Sequence, residues 1–69
     1  MGLRNHLKEA RAARGLTQAA LAEATGVSRK TINTIENAVF VPSTLLALRL
    51  ARVLDLSVHD LFELEEDAR

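Results

Sequence analysis

A chain of 69 residues is long enough for one small domain, and no second domain holding an effector is expected. It contains no cysteine, which excludes disulfides and thiolate metal sites and leaves helix packing, extended by a partner subunit, to supply stability. Nine Lys and Arg against nine Asp and Glu exclude a uniformly basic surface, though not a divided one.

The chain opens Met1-Gly2-Leu3-Arg4-Asn5-His6. That start has no apolar core for a signal peptide, and His6 stands where N-myristoylation wants Ser or Thr. With no apolar run of about 18 residues, the sequence predicts a soluble, cytoplasmic protein without membrane contact. Helical periodicity then runs through five segments: 3–14, 18–25, 29–37, 44–54 and 58–63. Gly15 and Gly26 follow the first two, where glycine suits a left-handed cap. Thr17, Ser28, Ser43 and Ser57 each precede a segment, where a hydroxyl accepts from an unpaired amide. Staples of Leu16 with Leu21, Val27 with Ile32, and Leu56 with Leu61 reinforce three of these starts.

Leu3, Leu7 and Ala10 line one face of the first helix. Leu21 with Ala22, Ile32 with Ile35, and Ala47, Leu50, Ala51 and Leu54 extend the stripe into an aliphatic core. No period-2 run is long enough to argue for a strand. The expected fold is all-α: a compact five-helix bundle over residues 1–64, with an acidic tail at 65–69.

Function emerges from the second and third helices, joined only by Gly26, Val27 and Ser28. A glycine turn of this length is the helix-turn-helix arrangement, whose second helix enters the major groove. Lys30, Asn33, Thr34 and Asn37 share one face of the third helix, flanked by Arg29, with no acid among them. Arg and Lys donate to guanine O6 and N7, and Asn pairs with adenine N6 and N7. Charge supports the same orientation. Residues 1–35 carry six cations against Glu9 and Glu23, whereas residues 36–69 carry three arginines against seven acids. One half can face phosphates while the other faces away.

Leu16-Thr17-Gln18-Ala19-Ala20-Leu21-Ala22, Gly26-Val27-Ser28-Arg29-Lys30-Thr31-Ile32 and Ile35-Glu36-Asn37 together resemble the phage-repressor-like (Cro/C1-type, XRE) helix-turn-helix family. Pro42-Ser43 and Leu48-Arg49-Leu50-Ala51 through Leu61-Phe62 are similar to its fourth and fifth helices. The resemblance implies a lambda-repressor-like fold and a sequence-specific transcriptional regulator, a repressor by expectation. It implies base contacts by Arg29, Lys30, Asn33 and Thr34, and phosphate contacts by Gln18, Ser28, Asn37 and Arg11. It also implies a structural pair of Arg11 with Glu36. The chain departs from the family at Ala38 and Val39, where Gly and a basic residue are usual. A left-handed Ala38 would cost about 1 kcal/mol, so Asn37 is expected to take that conformation instead.

Ala38-Val39-Phe40-Val41 is an apolar run in an exposed loop, which implies burial against something. One reading places Phe40 over the end of the fourth helix. The other gives Phe40, Val58, Phe62 and Leu64 to the interface of a C2 homodimer reading a two-fold operator in double-stranded DNA. No catalytic, cofactor or metal site is expected, because His6 and His59 lie at opposite ends and the glycines are too dispersed to cradle phosphate. Rival roles are a DNA-binding antitoxin or a restriction-modification controller that also binds a partner protein, or an interaction module that has lost DNA binding.

Overall fold

The computed structural model describes residues 2–65, so of the acidic tail expected at 65–69 only Glu65 is described, and it belongs to a strand; the rest lies outside the described residues. In chain order the elements are β1 (Gly2–Asn5), α1 (Leu7–Ala13), α2 (Gln18–Thr25), α3 (Arg29–Glu36), α4 (Thr44–Leu54), α5 (Val58–Leu61) and β2 (Phe62–Glu65). The helix starts follow from their caps. Thr17, Ser28, Ser43 and Ser57 sit in extended backbone, and their hydroxyls accept from the amides of Ala20, Thr31, Leu46 and Asp60. Each such bond satisfies a helix-end donor and contributes about 1 kcal/mol. At Ser57 the bond is reciprocal, because the Asp60 carboxylate accepts from the Ser57 amide. That backbone N–H, helped by the Ser57 hydroxyl, holds the Asp60 carboxyl below its ordinary value.

Leu7, Leu21, Ile32, Ile35, Leu50, Leu54 and Leu61 are fully buried and tie all five helices into one aliphatic core. Ala22 and Ala51 are also buried, and their small side chains let α2 and α4 approach closely. Leu3, Ala10, Leu16 and Val27 pack against this core from its edge.

The two ends of the chain depart from an all-α bundle. Residues 2–5, of which 3–5 were expected to begin the first helix, form β1 and pair antiparallel with β2 in the register Gly2 with Glu65, Leu3 with Leu64, Arg4 with Glu63 and Asn5 with Phe62. Leu3 and Leu7 lie one helical turn apart in sequence, so an inward-facing strand residue followed by a helix mimics a helical stripe. The His6 amide closes the ladder on the Leu61 carbonyl at 2.8 Å, and the Asn5 side chain accepts from the Leu7 amide to start α1. Glu63 faces Arg4 at 3.8 Å and His6 at 3.0 Å across the outer surface of this ribbon. The fold is therefore mostly helical with a small two-stranded sheet, and α5 ends at Leu61 rather than at residue 63.

Phe62 changes role as a result. Expected at a dimer interface, it lies in β2 with only 7% of its surface exposed and joins the monomer's own core. Among the described residues no helix is long and apolar enough to cross a membrane.

Candidate nucleic-acid interface

The turn between α2 and α3 is set by Gly26, whose φ of 77° is left-handed and whose amide bonds back to the end of α2. Ser28 then opens α3, its oxygen accepting from the Thr31 amide at 3.1 Å and meeting the Thr31 hydroxyl at 3.0 Å. From that start the helix divides by face. Ile32 and Ile35 are buried, whereas Arg29, Lys30 and Asn33 are exposed and Thr34 is half-buried. The first turn of α3 carries no acid, so its positive helix end and two cations act in the same direction.

Most of the polar groups on this face already have a first partner. The Thr34 hydroxyl donates to the Thr31 carbonyl at 2.9 Å, and the Asn37 amide donates to the Asn33 side-chain oxygen at 3.2 Å. Arg29 and Lys30 have no ion-pair partner among the described residues.

A second cluster fixes α3 from behind. Arg11 Nε donates to Glu36 Oε2 at 2.6 Å and its Nη2 to Oε1 at 3.2 Å, a forked ion pair. Arg11 Nη1 also donates to the Leu16 carbonyl at 2.8 Å, and Gln18 Nε2 donates to Glu36 Oε1 at 3.1 Å. The Glu36 side chain is 3% exposed and that of Arg11 15%. Burial alone would raise the Glu36 carboxyl, but the bonds from Arg11 and Gln18 and the charges of Arg11 and Lys8 hold it below its ordinary value. The Glu36 hydrogen bond in turn raises Arg11. This network joins the end of α1 and the start of α2 to the end of α3. Among the described residues it leaves Gln18 with one amide hydrogen and its side-chain oxygen uncommitted.

The end of α3 corrects the expected backbone. Ala38, not Asn37, takes the left-handed conformation, with φ of 59° against −90° at Asn37. The Ala38 amide donates to the Ile35 carbonyl at 3.0 Å, and the Val39 amide to the Thr34 carbonyl at 2.9 Å. Those two bonds make a Schellman cap, which requires its left-handed residue one position beyond Asn37. The Phe40 amide also reaches the Thr34 carbonyl, at 3.2 Å. Val39 and Phe40 are thereby placed beside Thr34. Sequence reading singled out their apolar run but not this neighbourhood, because the cap that creates it carries no glycine to signal it.

The helix-turn-helix family model matches residues 7–61, which span α1 through α5. The chain belongs to that family, in its Cro/C1 (XRE) branch. This helix-turn-helix chain is 42% identical over 65 residues to the HTH-type transcriptional regulator YgzD of Bacillus subtilis, covering 94% of its own length and 98% of the relative's. The same identity and coverage hold for an HTH-type transcriptional regulator of Methanocaldococcus jannaschii. Among solved structures it is similar to the restriction-modification controller protein C.AhdI of Aeromonas hydrophila, with TM-score 0.75, 33% identity, and 78% and 82% of the two chains covered. It is also similar to the biofilm regulator SinR in complex with DNA, with TM-score 0.72, 33% identity, and 77% and 86% covered.

Proposed function

We propose that this chain is a transcriptional regulator that binds double-stranded DNA sequence-specifically, with α3 in the major groove. The observation that carries the reading is the exposed α3 face bearing Arg29 and Lys30, free of acids and held by the Arg11–Glu36–Gln18 network. Arg29, Lys30, Asn33 and Thr34 are assigned to base edges. Gln18, Ser28, Asn37 and Arg11 are assigned to phosphates, which position the helix and carry no sequence information themselves. Ser28 and Arg11 would make those contacts with the bonding capacity left after their internal bonds.

The same reading includes a homodimer on a two-fold operator, acting as a repressor in the cytoplasm. Of the four residues expected at the dimer interface, Leu64 is 67% exposed, Val58 packs on the core and Phe62 is buried. Phe40 is half-exposed beside α3. Support for a partner now comes from Leu64 and from Leu45, Leu48 and Leu56, all exposed on a chain this small. SinR is similar to this chain and has also been solved with SinI. A protein partner on these leucines, in an antitoxin or controller, is therefore the second reading.

Selection from a randomised duplex pool, followed by titration and sedimentation of the complex, tests the proposal. Enrichment of a two-fold sequence bound by two copies, about a thousandfold tighter than random DNA, is the expected result. Weak, sequence-blind binding that vanishes at moderate salt would transfer the chain to the partner-dependent reading.

A further inference from the structure

The loop after α3 offers a chemistry that the polar residues of the reading face do not. Lys30, Thr31 and Thr34 of α3, Val39 and Phe40 of the loop and Leu46 of α4 enclose an open groove of about 430 Å³. Val39 is 77% exposed and Phe40 46% exposed, although both amides are tied to the Thr34 carbonyl. Backbone bonds thus hold two apolar side chains, each with much of its surface in water, against the reading face. The threonines sharpen the point. Thr34 gives its hydroxyl proton to the Thr31 carbonyl, and the Thr31 hydroxyl pairs with Ser28. Each of these hydroxyls already holds one local bond, and each threonine also carries a methyl group suited to apolar contact.

The group in the major groove that best suits an apolar recess is the 5-methyl of thymine, which projects from a base edge otherwise read through donors and acceptors. We propose that Val39, Thr34 and Phe40 form a receptor for the 5-methyl group of thymine, reading one base pair by apolar contact beside the polar contacts of α3. The inference rests on the DNA-binding reading above and extends it to a substrate feature. Val39 stands where the family usually has a basic residue, so it brings an apolar side chain and no charge to this position. Val39 is a specificity residue here rather than an anchoring one.

The test uses the selected duplex with each thymine replaced in turn by deoxyuridine, which removes the methyl and nothing else. At one position per half-site the replacement weakens the wild-type protein by about fourfold, the value of one buried methyl-sized group. Val39→Ala, altered at an exposed site that leaves the fold intact, abolishes that penalty. Thr34→Val retains the penalty and Thr34→Ser loses it, because valine keeps the methyl and serine keeps the hydroxyl. The slope of log affinity against log salt is the same for Val39→Ala and wild type, as no phosphate contact is involved. A wild-type protein indifferent to deoxyuridine at every position overturns the receptor. So does a penalty that survives Val39→Ala, or one that follows the hydroxyl instead of the methyl. If no duplex is preferred in the first place, the DNA-binding reading itself fails and takes this inference with it.

Discussion

Arg11 and Glu36 are 25 residues apart in sequence, yet Arg11 Nε lies 2.6 Å from Glu36 Oε2 in a pair that is nearly sealed from water. The forked geometry ties the end of α3 to α1 through two parallel bonds, which specify the pair's mutual orientation more closely than a single contact would. Gln18 completes the carboxylate's shell from the start of α2. The exposed α3 face is thus held by three polar side chains on three helices as well as by the packing of Ile32 and Ile35.

Glu36→Gln keeps the shape and removes the charge, leaving the Arg11 guanidinium covered and unpaired. The expected cost is about 3 kcal/mol, the scale for breaking a covered ion pair by neutralising one partner. In a domain of this size that is a large share of total stability. Thermal melting followed by circular dichroism reads the loss directly. A melting temperature within a degree of wild type would mean that the pair orients α3 without stabilising it.

The same pair gives a pH dependence with a defined sign. The Glu36 carboxyl is held below its ordinary value of 4.5 in the folded protein. The unfolded chain therefore binds the proton first, and stability from this group is fully present above pH 4.5 and lost as pH falls through the lower folded value. Asp60, also lowered, acts in the same direction from an exposed site. Arg11 is raised from a value already far above neutrality, so it contributes no pH dependence in the working range. Urea denaturation between pH 6 and pH 3 should show a decline that is shallower in Glu36→Gln. Parallel declines in the two proteins would assign the acid sensitivity elsewhere.

Ala38 and Gly26 make a matched pair of backbone tests. Ala38 occupies φ of 59° where glycine is at ease, so Ala38→Gly should stabilise by up to about 1 kcal/mol and raise the melting temperature by about 4 °C. Gly26 has φ of 77° and open space around any added Cβ. Gly26→Ala should therefore destabilise by about 1 kcal/mol for conformational reasons alone. Equal and opposite shifts are expected, and a loss of stability in Ala38→Gly would contradict the strain assigned to the α3 cap.

Much of this architecture was legible because its signals are local. Thr17, Ser28, Ser43 and Ser57 mark helix starts within one turn, and the resulting helices 18–25 and 44–54 match the periodicity residue for residue. The strands were not legible, because four-residue β1 and β2 depend on a pairing between residues about sixty apart. Neither has an alternation long enough to be seen alone. Phe62 shows the consequence: an aromatic read as surface is drawn into the core once β2 pairs with β1. On α3, residue types marked the exposed acid-free face, whereas the placement of Val39 depends on a left-handed alanine that propensity argues against.

Base reading by α3, with Gln18 on the phosphate backbone, is the assignment from which the proposed specificity follows. Affinity profiles of wild type, Lys30→Ala and Gln18→Ala across every single-base variant of the selected duplex test it most directly. Lys30→Ala should lose discrimination at one position per half-site, by about 1–3 kcal/mol, and keep it elsewhere. Gln18→Ala should weaken all duplexes alike, random DNA included. If Lys30→Ala instead weakened every sequence equally and left the profile unchanged, the α3 face would be a phosphate surface and the account of specificity would be wrong.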